Sequence, residues 1–219
     1  MKEAIDYLRK DFRPLDWHEK ISAVQDFFSD QHFTHFPVID DTVFKGTMAL
    51  NDVEILDEDK QLKDFGYVLS PFFCRENTHW LDVLELFAQH DTNVVPVLDA
   101  ENQYIGYYEL NDIVRFLNET PFLSEPGNLL IIEKEFQSFS MSQIVQIIES
   151  NNGKMLGLFV SETQGNLVQI TIKLTLGGIN EIIQSFRRYG YEIVSHHEED
   201  NYLLGLKERS DYLKRYLDL

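Results

Sequence analysis

The chain has 219 residues, 43% hydrophobic and 26% charged, a balance that suits water-soluble globular domains with apolar cores. Acidic residues outnumber basic ones by 37 to 19 and the formal net charge is -18, a field that repels polyanions, argues against nucleic-acid binding and discounts any phosphate ligand lacking a local basic patch. The single cysteine, Cys74, excludes an intrachain disulfide and a thiolate zinc site and fits a reducing compartment. The start, Met1-Lys2-Glu3-Ala4, has no signal-peptide pattern, and no apolar run approaches the roughly 20 residues that span a bilayer. The expectation is a cytoplasmic protein with no membrane and no nucleic-acid partner.

The first helix is predicted over Ile21, Val24 and Phe28, whose spacing makes one apolar face, with Asp16 and Glu19 at capping-box spacing ahead of it. An apolar strand follows, Phe36 to Ile39, its proline suited to a strand start or edge. After a polar turn, Val43 to Ala49 forms a second strand containing Gly46, a bulge or close-approach signal. Asn51 is the expected cap of a second helix. The acidic run Asp57-Glu58-Asp59 reads as a solvated connection.

The pattern then repeats. Asp30–Asp40 overlays Gln89–Asp99 at constant offset, pairing Pro37-Val38-Ile39-Asp40 with Pro96-Val97-Leu98-Asp99. The same offset pairs Val24 with Val83 and Phe28 with Phe87. One inserted residue later, Gly46 pairs with Gly106, and Leu50-Asn51-Asp52-Val53 with Leu110-Asn111-Asp112-Ile113. The second copy is predicted as a helix capped by Thr78 and burying Leu81, Leu84 and Ala88, strands Val95 to Leu98 and Tyr104 to Glu109, and a helix from Asn111. Packing alone would also explain these prolines and glycines.

These paired motifs resemble the CBS domain family over roughly residues 8–120. The resemblance implies two β-α-β-β-α units, residues 1–60 and 61–120, paired through their sheets as a Bateman module with two clefts. Such modules often dimerise, and their clefts commonly bind adenine nucleotides to regulate another protein. The family's ligand pattern has a hydroxyl residue three places after the glycine and an aspartate six places after it. Asp52 and Asp112 match the aspartates, which in the family accept both ribose hydroxyls; Ala49 and Glu109 replace the hydroxyl residues. The implied ligand is an adenine nucleotide or nucleoside, the neutral form being less penalised because a Glu carboxylate repels a phosphate. His35 and Val94 stand where the family's backbone meets the adenine. The plain alternative is that Asp52 and Asp112 only favour the dipole of the helix they begin.

Residues 121–127, rich in breakers, read as a linker. Beyond it come a strand from Leu129 to Phe136, a helix with Ile144, Val145, Ile147 and Ile148 behind a Ser140/Gln143 capping box, and a strand from Met155 to Thr163. Val168, Ile170, Ile172 and Leu174 then alternate with polar residues, as on a half-buried strand. Gly177-Gly178, a helix with Ile179, Ile182, Ile183 and Phe186 ending near Gly190, and a strand from Tyr191 complete β-α-β-β-α-β, the ferredoxin-like order. A further strand (Tyr202, Leu204, Leu206) and a terminal helix (Tyr212, Leu213, Tyr216, Leu217) follow. Residues 128–219 resemble an ACT domain, and a CBS pair followed by such a unit resembles the acetoin-utilisation accessory proteins. The fold class is thus α+β. The loop Gln137-Ser138-Phe139 lacks the glycine with which ACT domains hold an amino acid, so dimer packing is the safer role.

No phosphate loop, metalloprotease motif or nucleophile elbow occurs. His196-His197-Glu198-Glu199-Asp200 has metal-ligand types, but strand neighbours face opposite ways and a shared metal is not expected. Cys74 beside Arg75 reads as structural rather than a reactive thiolate. The expected protein is not an enzyme and needs no cofactor or metal. It is a homodimeric regulator that senses a small, adenosine-containing ligand on behalf of a protein partner. The competing reading is a constitutive dimeric scaffold with degenerate clefts.

Overall fold

A computed structural model describes residues 4–195. The chain divides between Glu119 and Thr120 into two compact units. The predicted tail elements and the His196–Asp200 cluster lie outside the described residues.

The first unit contains two copies of one small motif. The first copy runs β1 (Leu15–Asp16), α1 (Ile21–Asp30), β2 (His35–Asp40), β3 (Val43–Ala49) and α2 (Leu50–Val53). The second runs β4 (Cys74–Arg75), α3 (Trp80–Gln89), β5 (Val94–Leu98), β6 (Tyr104–Glu109) and α4 (Leu110–Asn118). Each copy makes a three-stranded mixed sheet, β1-β2-β3 and β4-β5-β6, whose first strand is parallel to the second and whose last two form a hairpin. Apolar periodicity explains the helices: α1 buries Ile21, Val24 and Phe28, each worth about 1.5–3 kcal/mol when withdrawn from water. β2 and β5 lie against each other, and Val94 and Tyr107 of the second copy enter the core of the first.

Both strand glycines do what their position in the sequence suggested. Gly46 and Gly106 have φ of +148° and +149°, opposite a register shift in the partner strand. A Cβ on Gly106 would stand 2.5 Å from the carbonyl oxygen of Arg9, and one on Gly46 2.7 Å from Leu69 Cβ. In each copy an incoming segment thus crosses the hairpin at the glycine. Arg9 pairs with Tyr107 at one crossing and Ser70 with Thr47 at the other.

Local capping differs from expectation. The short helices begin at Leu50 and Leu110, capped by the backbone of Ala49 and Glu109, so Asn51 and Asn111 are already helical. Asp16 and Glu19 shape a turn ahead of α1, whose cap is Lys20. Thr78 instead accepts from the Arg75 amide, and His79 caps α3 through its ring. The predicted face of α3 is also corrected: Val83 and Phe87 are buried, whereas Leu81 is 52% exposed, Leu84 half-buried and Ala88 exposed. The repeat alignment, which paired Val83 with Val24 and Phe87 with Phe28, located this face better than the local apolar spacing did.

The second unit contains α5 (Pro121–Ser124), β7 (Gly127–Glu135), α6 (Met141–Ser150), β8 (Met155–Gln164), β9 (Leu167–Thr175), α7 (Ile179–Arg188) and β10 (Glu192–Ile193). The segment read as a linker thus contains one helical turn. The sheet order β10-β7-β9-β8, antiparallel throughout, is the ferredoxin-like arrangement. One sheet face, with Leu130, Ile132, Val168, Ile170, Ile172 and Leu174, buries the apolar stripes of α6 and α7. Ser140 caps α6 by accepting from the Gln143 amide at 3.4 Å, as the capping-box pattern predicted.

Candidate functional site

The two motif copies present two candidate clefts, each at the start of a short helix. Their geometry begins with a reciprocal contact between equivalent residues. Thr34, just before β2, donates its amide to Asn93 Oδ1 at 2.9 Å, and the Asn93 amide donates to Thr34 Oγ1 at 3.0 Å. Their carbonyls accept the amides that open the two helices, Leu50 to Thr34 and Leu110 to Asn93. This junction thus ties the starts of the two helices together.

The first cleft gathers His35, Ala49 and Asp52 with residues of the second copy. His35 pairs with Ala49 across the hairpin. Burial lowers the pKa of His35 below its usual 6.5, and His90 acts in the same direction, while Asp52 and Asp91 oppose it. The ring is therefore neutral at pH 7 and lies within electrostatic reach of both carboxylates. Its face meets Phe72 edge-on at 5.7 Å, and Phe72 stacks on His90 at 4.1 Å with 14° between the planes. The Asp52 carboxylate makes no hydrogen bond or ion pair among the described residues and is half-buried.

The second cleft is different. Asp112, 5% exposed, receives Arg9 Nε at 2.5 Å and Arg9 Nη2 at 3.2 Å, a bidentate clasp. Glu109 lies 3.3 Å and Asp11 3.5 Å from the same guanidinium. The Tyr107 hydroxyl donates to Asp11 at 2.6 Å and fixes that carboxylate. Burial raises the pKa of Glu109, an effect Arg9 opposes and Asp112 and Asp11 reinforce. Beside this cluster a pocket of about 380 Å³ is lined by Phe12, Gln31, Phe33, Asn93, Glu109 and Leu110, among others.

Two β-α-β-β-α copies, each with an aspartate in the first turn of its second helix, are the arrangement the resemblance implied. Residues 63–119 match the CBS domain family. No curated protein matches the chain. Three solved structures illustrate its similarities. One is a CBS domain pair/ACT domain protein from Thermotoga maritima: 22% identity, TM-score 0.49, 54% of this chain and 98% of that one. Another is the cytosolic domain of the Mg2+ channel MgtE in complex with ATP: 20% identity, TM-score 0.45, 52% of this chain and 48% of that one. The third is CBSX2 in complex with AMP: 20% identity, TM-score 0.46, 52% of this chain and 95% of that one.

In the two CBS-like units the expected site residues have unequal fates. Asp52, His35 and Ala49 come together in the first cleft, and Glu109 and Asp112 in the second. Asp112 has both carboxylate oxygens engaged by Arg9, so the ribose contact implied for it is already taken within the chain. Val94 is a core residue, fully buried, and its amide and carbonyl are both bonded to the Thr92 hydroxyl at 3.1 and 2.8 Å. That local turn leaves its backbone little capacity for a base.

The sequence reading missed Arg9, Asp11, Phe72 and His90. A signal for the first was present: the crossing segments Leu8-Arg9 and Leu69-Ser70 correspond, but their spacing differs from that of the rest of the repeat. Cys74 is buried, and its thiol pKa is pushed up to about 12 by burial. Arg75 turns away from it to the Asp99 carbonyl and Asn102. Among the described residues no group of three or more His, Cys, Asp or Glu side chains is placed to hold a metal, and no helix is long and apolar enough to cross a membrane.

Proposed function

We propose that this chain is a non-catalytic regulatory protein whose first cleft senses an uncharged, adenosine-containing ligand. The observation that carries the reading is the Asp52 carboxylate, half-buried, without a partner among the described residues, and within electrostatic reach of His35. A carboxylate so placed can accept both hydroxyls of a ribose. His90, partly exposed and backed by the buried Phe72 ring, supplies aromatic surface of the kind on which a purine stacks. Ala49 supplies no hydroxyl for a phosphate, and Asp91 adds negative charge, so a nucleoside is favoured over a nucleotide. The match of residues 63–119 to the CBS family supports the regulatory class.

Signalling would be a population shift: ligand in the first cleft favours one arrangement of the Thr34–Asn93 junction, and a second copy or a regulated protein partner reads it. The test is thermal unfolding of the full chain with adenosine, AMP, ATP, S-adenosylmethionine and amino acids. A ligand at 100 times its Kd adds about 2.7 kcal/mol of stability. A saturable shift with adenosine, absent in Asp52→Ala, is the expected result. No shift with any adenosine compound refutes it. The scaffold reading draws on one observation, the second cleft being closed by Arg9, and predicts a dimer indifferent to the whole panel.

A further inference from the structure

The second cleft differs from the first at two linked positions. Where the first has Ser70 crossing its hairpin, the second has Arg9; where the first has Ala49, the second has Glu109. The cation and its extra counter-charge occur together in one cleft and are both missing from the other. Arg9 is held along its whole length. Its amide donates to the Tyr107 carbonyl at 2.8 Å and its carbonyl accepts from the Tyr107 amide at 3.0 Å. Gly106 makes room for that approach. Three carboxylates, Asp11, Glu109 and Asp112, face the guanidinium, and Arg115 reaches Asp112 from the solvent side at 3.9 Å. Asp112 is nine-tenths buried, so without Arg9 its desolvated charge would keep only Arg115, at 3.9 Å, as a counter-charge.

We propose that Arg9 is a tethered ligand of the second cleft, which is built to take a guanidinium cation rather than a phosphate. A free ligand enters this cleft by exchanging its own guanidinium or amine for that of Arg9, with the rest of the molecule in the adjoining pocket beside Phe12 and Phe33. Exchange frees the Arg9 guanidinium from Asp112 and Glu109 and leaves its segment held to Tyr107 by the backbone alone, which couples occupancy to the N-terminal segment.

The experiment is chemical rescue in the full chain. Arg9→Ala should unfold several degrees below wild type. Millimolar agmatine, a small guanidinium amine, should restore most of that loss saturably, and tetramethylammonium chloride at equal ionic strength should not. Wild type should respond at least tenfold more weakly, and Arg9→Ala/Asp112→Asn not at all. Rescue no greater than that of the salt control overturns the proposal, as does AMP stabilising Arg9→Ala as well as agmatine does. If Arg9→Ala does not fold, Arg9→Lys keeps the charge and loses the bidentate clasp. Agmatine must then stabilise it more than wild type, and an equal response overturns the proposal.

Discussion

Replacing Asp112 and Asp52 by alanine, one at a time, separates an aspartate working inside the fold from one left free. Both begin short helices, so both lose a similar helix-dipole contribution of about 0.5 kcal/mol. Asp112 loses in addition two charge-assisted bonds to Arg9, at 2.5 and 3.2 Å. Buried bonds of that kind are worth roughly 1.5–3 kcal/mol each. The Arg9 side chain is 34% exposed, and Glu109 and Asp11 continue to hold it, so screening and partial compensation reduce the total. We expect Asp112→Ala to cost about 2 kcal/mol and Asp52→Ala about 0.5 kcal/mol. Urea unfolding followed by tryptophan fluorescence reads this directly, because the two tryptophans, Trp17 and Trp80, both lie in the first unit. With an m-value near 2 kcal/mol/M, the midpoint falls by about 1 M in Asp112→Ala and by about a quarter of that in Asp52→Ala. A double-mutant cycle with Arg9→Ala should return a coupling of at least about 1 kcal/mol for Asp112 and none for Asp52. Equal losses at the two aspartates, or a coupling below about 0.3 kcal/mol, would show that the Arg9 clasp contributes nothing.

Glu109→Gln should raise stability at neutral pH. Burial holds the Glu109 pKa above its ordinary value, so its contribution is fully present below the unfolded pKa and is lost as pH rises through the folded one; the gain from glutamine should therefore vanish on acidification, as urea titrations at pH 7 and pH 4 would show. Gly106→Ala forces an alanine to φ +149° and drives its Cβ onto the Arg9 backbone, at a combined cost of about 2–4 kcal/mol visible in the urea midpoint. Tyr108→Phe removes a buried hydroxyl with no hydrogen-bond partner among the described residues, and calorimetry should find it neutral or up to about 1 kcal/mol more stable. Cys74 should resist iodoacetamide at pH 8 in the folded protein and react once urea unfolds it, since burial keeps the thiol protonated; rapid labelling without urea would contradict its place in the core.

The repeat, the hairpin glycines, the longer elements of both units and the buried faces of most helices can be read from the residues alone, while the two-residue strands β1 and β4 are too short to leave a periodic signal. Each legible feature is written in short-range periodicity or in the one conformation a residue type permits. Gly46 and Gly106 could be read for a bulge or close approach because only glycine tolerates both the dihedral and the crossing chain. The exact caps were harder, since Thr78, His79 and the backbone of Ala49 compete over a residue or two with similar energies. The fate of each helix-opening aspartate belongs to the tertiary structure. Asp52 and Asp112 sit in matching motifs, and no local pattern distinguishes a carboxylate left without a partner from one clasped by an arginine about a hundred residues away. That difference arises when the segment around Arg9 folds across the second hairpin, because a buried charge takes whatever counter-charge the chain brings within reach.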